Sequence, residues 1–247
     1  MEGLMMNRIN GRAFNEIRPI EVQSGFSAYP EGSVLISFGE TRVLCNVTIE
    51  TKVPDWMRNS DKGGGWITAE YALLPRSTQQ RVRRETMGLR GRTQEIKRFI
   101  GRSLRAAFDL AVLDGLTCIV DCDVLQADGG TRTASVTGGY IALRQALSPL
   151  IKTGTLPEAV LLPQAAAVSV GMIDHVPLLD LNYQEDSSAQ VDMNIVMNSN
   201  GEYIEIQGTA EQSPFTPDEF KTLLDLAEEG CRQLFILQNQ ALELPAE

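Results

Sequence analysis

The chain has 247 residues, enough for one large domain or two intimate ones, and a chain of that size buries roughly 70–75% of its unfolded surface. It has no apolar run of membrane length and no charged-then-apolar leader at its start, so a soluble, cytoplasmic protein with no membrane partner is expected. The net charge of −10 argues against a nucleic-acid binder only when averaged. From Arg76 to Arg105 there are ten Lys/Arg and two Glu, whereas from Asp174 to Glu247 fifteen acids face Lys221 and Arg232 alone. Such asymmetry within one chain points to a polyanionic partner on one face.

Taken in order, residues Met1 to Arg12 read as a poorly ordered start and Ile17 to Gln23 as a strand. Gly32 to Phe38 and Thr41 to Ile49 alternate around Gly39-Glu40, which predicts a hairpin. Pro54 to Gly65 reads as a loop, either a mobile element of a site or a plain connector. Trp66 to Leu73 returns to strand. The basic segment then opens at Pro75, with Arg76, Arg81, Arg83 and Arg84 close together, and Gly88 and Gly91 keep it from forming one helix. A charge run is usually a solvated helix face. Glycine breaks and few intervening acids favour a surface for RNA phosphates here. No aromatic residue interleaves, so base stacking is not implied in this segment.

From Gly91-Arg92-Thr93 an amphipathic helix is predicted, its stripe formed by Ile96, Phe99, Ile100, Leu104, Ala107, Phe108 and Ala111. Arg98, Arg102 and Arg105 fall on the other face, for a solvated or inter-subunit role. Leu116 to Val124 reads as a strand, followed by a turn at Asp128-Gly129-Gly130 and a helix with Val136, Tyr140, Leu143 and Leu147 at helical spacing. Pro149 to Pro163 is the expected connection between two subdomains. Beyond it come a hairpin (Ala165 to Met172, Leu178 to Tyr183), strands at Met193 to Met197 and Tyr203 to Gln207, and a helix after Pro214-Phe-Thr-Pro. Hairpin followed by strand and helix recurs in both halves, a hint of internal duplication.

The four cysteines form no close Cys-x-x-Cys pair, so buried free thiols are expected rather than zinc or redox chemistry. The single histidine, His175, lies in the turn Asp174-His175-Val176-Pro177 and is badly placed for triad chemistry.

The chemistry gathers at the glycine turn. Glycines there leave backbone N–H groups uncrowded, and a helix start favours an anion through its free N–H groups and dipole. Arg132 adds a planar fork of donors and Thr131 a hydroxyl. An ordinary turn with a surface arginine has the same spacing. Arg92, however, leads the preceding helix as Arg132 leads this one, which would bring two guanidiniums to one phosphate. Asp186 and Asp192, one ahead of a strand and one at its start, are candidates to converge across an irregular bend and hold Mg²⁺. Acids flank strands everywhere; beside two phosphate arginines the pair makes a coherent phosphoryl-transfer set.

The runs Gly32-Ser-Val-Leu-Ile-Ser-Phe-Gly, Gly65-Trp-Ile-Thr-Ala-Glu-Tyr, Leu74-Pro-Arg-Ser-Thr, Gly91-Arg-Thr, Asp121 through Ser135, Glu185-Asp-Ser, Asp192-Met-Asn and Gln207-Gly-Thr-Ala-Glu211 resemble the ribonuclease PH family over nearly the whole chain. The resemblance implies an α+β fold of two similar β-α-β halves, mixed sheets packed with helices. It divides the chain into residues 16–149, binding phosphate and RNA, and 164–241, carrying the metal-binding acids. It also implies a homo-hexameric ring, a trimer of dimers, in which inorganic phosphate removes 3′-terminal nucleotides of tRNA precursors as nucleoside diphosphates. Carried over residue by residue, phosphate falls to Arg92, Gly130, Thr131 and Arg132, Mg²⁺ and catalysis to Asp186 and Asp192, with Arg92 and Arg132 also catalytic, and tRNA binding to Arg76, Arg81 and Arg84. The Glu85–Arg92 connection is slightly shorter than the family pattern, Arg83 is an added base, and a few residues precede Asn7-Arg8. Two other readings are a non-catalytic RNA-binding ring subunit, as in exosome-like assemblies, and a small-molecule kinase. The first wants loss of Arg92, Arg132 or an aspartate; the second wants a Gly-x-x-x-x-Gly-Lys-Ser/Thr loop, which is absent.

Overall fold

A computed structural model describes residues 8, 10–58 and 63–243. The elements, in chain order, are β1 (Ile20–Ser24), β2 (Gly32–Phe38), β3 (Thr41–Glu50), α1 (Asp55–Arg58), β4 (Trp66–Leu73), α2 (Gly91–Arg105), β5 (Thr117–Gln126), α3 (Thr131–Lys152), β6 (Ala165–Ile173), β7 (Val176–Leu179), α4 (Tyr183–Ser188), β8 (Val191–Asn198), β9 (Tyr203–Ala210) and α5 (Pro217–Glu243). They form a five-stranded sheet, β1-β2-β3-β5-β4, and a four-stranded sheet, β7-β6-β8-β9. All pairings are antiparallel except β4 with β5. The fold is α+β, with one sheet in each half.

Alternation decides which face of the first sheet is buried. Val34, Ile36 and Phe38 of β2, Val43, Cys45 and Val47 of β3, and Cys118, Val120, Cys122 and Val124 of β5 are all buried. Over that face lies α3, which also packs against β6 of the second sheet. Its residues from Thr133 to Leu143 are buried on every side, as a helix between two sheets requires. The second sheet is covered by α5 through Leu223, Leu226, Ala227, Cys231 and Leu234. One hydrophobic core runs through both halves. All four cysteines are free and buried, and burial pushes the Cys118 and Cys231 thiols up to about 12.

Several predicted bounds move for physical reasons. β1 begins at Ile20, not Ile17, because Pro19 has no N–H for the ladder and the N–H of Arg18 donates to Asp180 Oδ2 at 2.8 Å. α2 stops at Arg105, so Ala107 and Phe108 enter the core from the turn beyond it. α3 continues past Pro149 to Lys152, so the connection starts later than expected. The second strand of the later hairpin is Val176–Leu179 rather than Leu178 to Tyr183. It starts directly after a two-residue turn with positive φ at Asp174 and His175. It ends where Asp180, at φ 54°, leaves the ladder.

The N-terminal residues bring the largest correction. Met1 to Asn7 and Ile9 lie outside the described residues, but Arg8 and Arg12 do not belong to a loose start: they are 6% and 8% exposed. Arg8 makes a two-pronged pair with Glu185, Nε to Oε1 and Nη2 to Oε2, both at 2.7 Å. Arg12 donates to Asp180 Oδ2 and Glu185 Oε2, each at 3.3 Å. Arg18 grips Asp180 through Nε and Nη2 at 2.8 and 2.7 Å. Its Nη1 also donates to the carbonyl of Asp128 at 2.6 Å. This buried knot ties the chain start and the glycine turn to the segment that opens α4.

Candidate active site

Two helix N-termini converge where β4 and β5 end. β5 leads through Asp128-Gly129-Gly130 into α3, with φ of 74° at Gly129 and 65° at Gly130, a conformation that favours glycine. Space also requires glycine here: a Cβ on Gly129 would lie 2.6 Å from the backbone carbon of Asn182. The turn is therefore pressed against the start of α4. Thr41 fixes it from the other side, its hydroxyl accepting from Asp128 N–H at 2.8 Å and donating to the Gly129 carbonyl at 2.7 Å.

Neither α2 nor α3 has a side-chain cap at its N-terminus. Their first-turn N–H groups lack intrahelical acceptors, and the helix dipoles favour an anion there. Arg92 and Arg132 are each the second residue of these helices. The charges of both arginines bear on the phenol of Tyr71 and on the carboxylate of Asp186. Arg132 is steadied by Glu95 and by Gln207 of β9, its Nη1 donating to each at 2.9 Å. Thr131 opens α3, its hydroxyl 2.8 Å from the phenol oxygen of Tyr71.

The acids arrive from the other half. Asp186 precedes a strand, as expected, but it lies on the short helix α4 instead of an irregular bend. A capping box starts that helix: Asn182 Oδ1 accepts from Glu185 N–H at 2.9 Å, and Glu185 Oε2 accepts from Asn182 N–H at 3.0 Å. The Asn-x-x-Glu spacing was the signal in the sequence. Asp192 is the second residue of β8, and Gly171 lies opposite it on β6. Burial raises the Asp192 carboxyl above its ordinary range, and the charges of Asp186 and Glu211 raise it further. Asp186 is also raised by desolvation, while Arg92 and Arg132 pull it back. The two aspartates therefore face one another electrostatically, with Glu211 as a third acid. Among the described residues no group of three or more His, Cys, Asp or Glu is arranged to hold a metal by itself.

The predicted RNA arginines stand apart. Arg76, Arg81, Arg83 and Arg84 are exposed on an irregular segment between β4 and α2, and among the described residues none makes a salt bridge. Arg84 lies close enough to Asp123 to lower that carboxyl's pKa against the effect of burial. The short Glu85–Arg92 connection is closed by Glu85, which accepts from Arg90 N–H at 3.1 Å and from the Thr93 hydroxyl at 2.8 Å. On the far face of α2, Arg102 pairs with Glu205 of β9, and Arg105 lies over the Trp66 ring at 4.5 Å. Tyr71, Glu95, Gln207 and Glu211 were not singled out for the site from sequence; Tyr71, Gln207 and Glu211 lie within the family-like runs.

Two helix starts led by arginine, faced by carboxylates from the second sheet, lie in two sheet-and-helix halves that define a class, the ribonuclease PH fold. Two family profiles match, "3′ exoribonuclease family, domain 1" over residues 16–149 and "3′ exoribonuclease family, domain 2" over residues 164–230. The chain belongs to this ribonuclease PH family. Ribonuclease PH of Corynebacterium efficiens is 54% identical over 237 residues, 95% of this chain and 96% of that protein. Ribonuclease PH of Moorella thermoacetica is 53% identical over 239 residues, 96% of this chain and 95% of that protein. Rice Rrp46 superposes with a TM-score of 0.77 at 17% identity, covering 96% of this chain and all (100%) of the other. The Archaeoglobus fulgidus exosome with RNA bound to the active site gives 0.79 at 22% identity, covering 94% and 92%. At those identities the solved structures speak to the fold alone.

Proposed function

We propose that this protein is a phosphate-dependent 3′-to-5′ exoribonuclease that trims the 3′ ends of tRNA precursors, and of other structured RNA, releasing nucleoside diphosphates. The observation that carries the reading is that Arg92 and Arg132 head two helices without side-chain caps and that both charges bear on the carboxylate of Asp186. Inorganic phosphate is the co-substrate that such a cradle of N–H groups, guanidiniums and the Thr131 hydroxyl would hold. Oriented there, a phosphate oxygen attacks the terminal phosphodiester and the penultimate 3′-oxygen leaves. One phosphate linkage replaces another, so the reaction is readily reversible. No side-chain nucleophile takes part.

The acid pair fits a hard divalent cation. Burial raises both carboxyls and the charge of Asp186 raises Asp192 further, so both gain from a nearby cation, and Mg²⁺ commonly takes one or two carboxylates with water and substrate phosphate. Asp186 and Asp192 would hold it, and when bound it supplies neutralisation of charge on the reacting phosphoryl group. Arg76, Arg81 and Arg84 give long-range attraction to the tRNA backbone, with Arg83 beside them. That segment is too short to grip a folded tRNA alone, which favours a cytoplasmic homo-hexameric ring, a trimer of dimers. Half-buried Leu35, Leu44 and Ile119, on the face of the first sheet away from α3, suit an assembly surface. Light scattering is expected to give about six times the monomer mass, and a stable, active monomer would overturn the ring.

No residue whose loss would favour a non-catalytic ring subunit is missing. The deciding experiment incubates the protein with a 3′-extended tRNA, with and without phosphate. Nucleoside diphosphate released only with phosphate supports the reading; equal shortening without phosphate contradicts it.

A further inference from the structure

We propose that Tyr71 is a positioning residue that aims the hydroxyl of Thr131 at the attacking phosphate, an inference that rests on the phosphorolytic reading above. Tyr71 projects from the core face of β4 and is 5% exposed. In the parallel pairing of β4 with β5 it stands beside Cys122, under the turn that lifts the chain into α3. Its phenol oxygen lies 2.8 Å from Thr131 Oγ1.

Two hydroxyls sharing one hydrogen bond use one of their two protons, and direction decides what remains. If Thr131 donates to the phenol, it turns only lone pairs toward the cradle, and these repel an anion. If Tyr71 donates, Thr131 Oγ1 is satisfied as an acceptor and its own proton is left for the phosphate. A bound phosphate, an anion rich in acceptor oxygens, selects the second arrangement. Other bonds leave that choice open: Ser135 Oγ donates to the Thr131 carbonyl at 2.8 Å, not to its hydroxyl. Burial raises the phenol pKa even though Thr131, Arg92 and Arg132 oppose the rise, so the donor proton is retained at neutral pH. With phosphate bound, Tyr71 donates and leaves the Thr131 proton for the phosphate, without itself touching the reacting atoms.

The test is a double-mutant cycle on 3′-extended tRNA, reading kcat, the phosphate KM and the tRNA KM. Tyr71→Phe keeps the packing and deletes one oxygen. It is expected to raise the phosphate KM roughly 2- to 13-fold, the loss of one neutral hydrogen bond, while kcat at saturating phosphate and the tRNA KM move far less. Thr131→Ser is expected to restore most of the affinity that Thr131→Val loses. Tyr71→Phe added to Thr131→Val should do no further harm, because Tyr71 acts through that hydroxyl. Independent, multiplying effects overturn the proposal, as does a lowered melting temperature with an unchanged phosphate KM. Failure of phosphorolysis itself looks different: the wild-type rate would not depend on phosphate at all.

Discussion

Glu185 and Asp186 are neighbours on one short helix, yet they belong to regions with opposite electrostatics. Glu185 enters the buried knot, where burial by itself would raise its carboxyl but Arg8, the Asn182 N–H and Arg12 outweigh burial and hold it low. Asp180 is held low in the same way by Arg18 and Arg12. Asp186 and Asp192 belong to the other region, where no salt bridge is made by either among the described residues and burial raises both carboxyls. The same residue types do structural work where their charges are matched and are left available for ligands where they are not. Matched pairs tie the fold together; unmatched ones are the candidates for a site.

The largest expected effect comes from unmatching the knot. Glu185→Ala leaves Arg8 buried without a carboxylate and Arg12 with Asp180 alone, and is expected to cost about 3–5 kcal/mol of stability, the usual cost of breaking a buried pair. The pH dependence follows the same sign. Because the folded-state pKa values of Asp180 and Glu185 are lowered, their contribution is full above the unfolded values, near 4. It is lost as pH falls through the lower folded values. Thermal melts between pH 7 and pH 2 are expected to show a steep acid loss that Asp180→Asn flattens.

Neutralising a cleft acid is expected to do the reverse. Asp192→Asn removes a carboxylate whose folded pKa is raised, so its ionised form costs stability at neutral pH and the melting temperature should hold or rise. Turnover should nevertheless fall on the order of 100- to 1000-fold, the range for losing one group that stabilises transition-state charge. A variant that melts early would place Asp192 among the structural acids.

Next in size are the cleft arginines. Arg92→Ala or Arg132→Ala is expected to lose charge-assisted bonds worth about 1.5–3 kcal/mol, or roughly 10- to 150-fold in phosphate use. Lysine should rescue only partly, since a point charge lacks the planar fork. The smallest effect on stability belongs to the exposed basic segment. Replacing Arg76, Arg81 and Arg84 with alanine should change stability by under about 0.5 kcal/mol per site. It should weaken tRNA binding and reduce its salt slope by about one for each RNA phosphate that is no longer neutralised. Activity on a short unstructured oligonucleotide should largely survive. Equal loss on both substrates would move those residues into the cleft or the assembly.

How much of this was legible depended on range. β2 and β4 occupy the residues that alternation predicted, because their period and their glycine or proline bounds are local. The place of Arg92 and Arg132 at two helix starts was anticipated because each heads a long helix with a glycine in front. The knot was not, because Arg8 and Glu185 are 177 positions apart and nothing near Arg8 signals a partner. α4 was missed because six residues are too few for a periodic stripe, although its capping box was in plain view. Gln207 and Glu211 enter the site only through the docking of the second sheet, and Glu95 through the packing of α2 on α3, neither of which a local pattern encodes.

Central to the proposed reaction is that phosphate, not water, is the nucleophile in the cleft between Arg92, Arg132 and the aspartates. It is tested most directly by supplying radiolabelled orthophosphate with a 3′-extended tRNA and locating the label in the product. The expected product is nucleoside diphosphate labelled in its β-phosphate, with release rising and saturating with orthophosphate. Unlabelled nucleoside monophosphate, formed at full rate without phosphate, would contradict it.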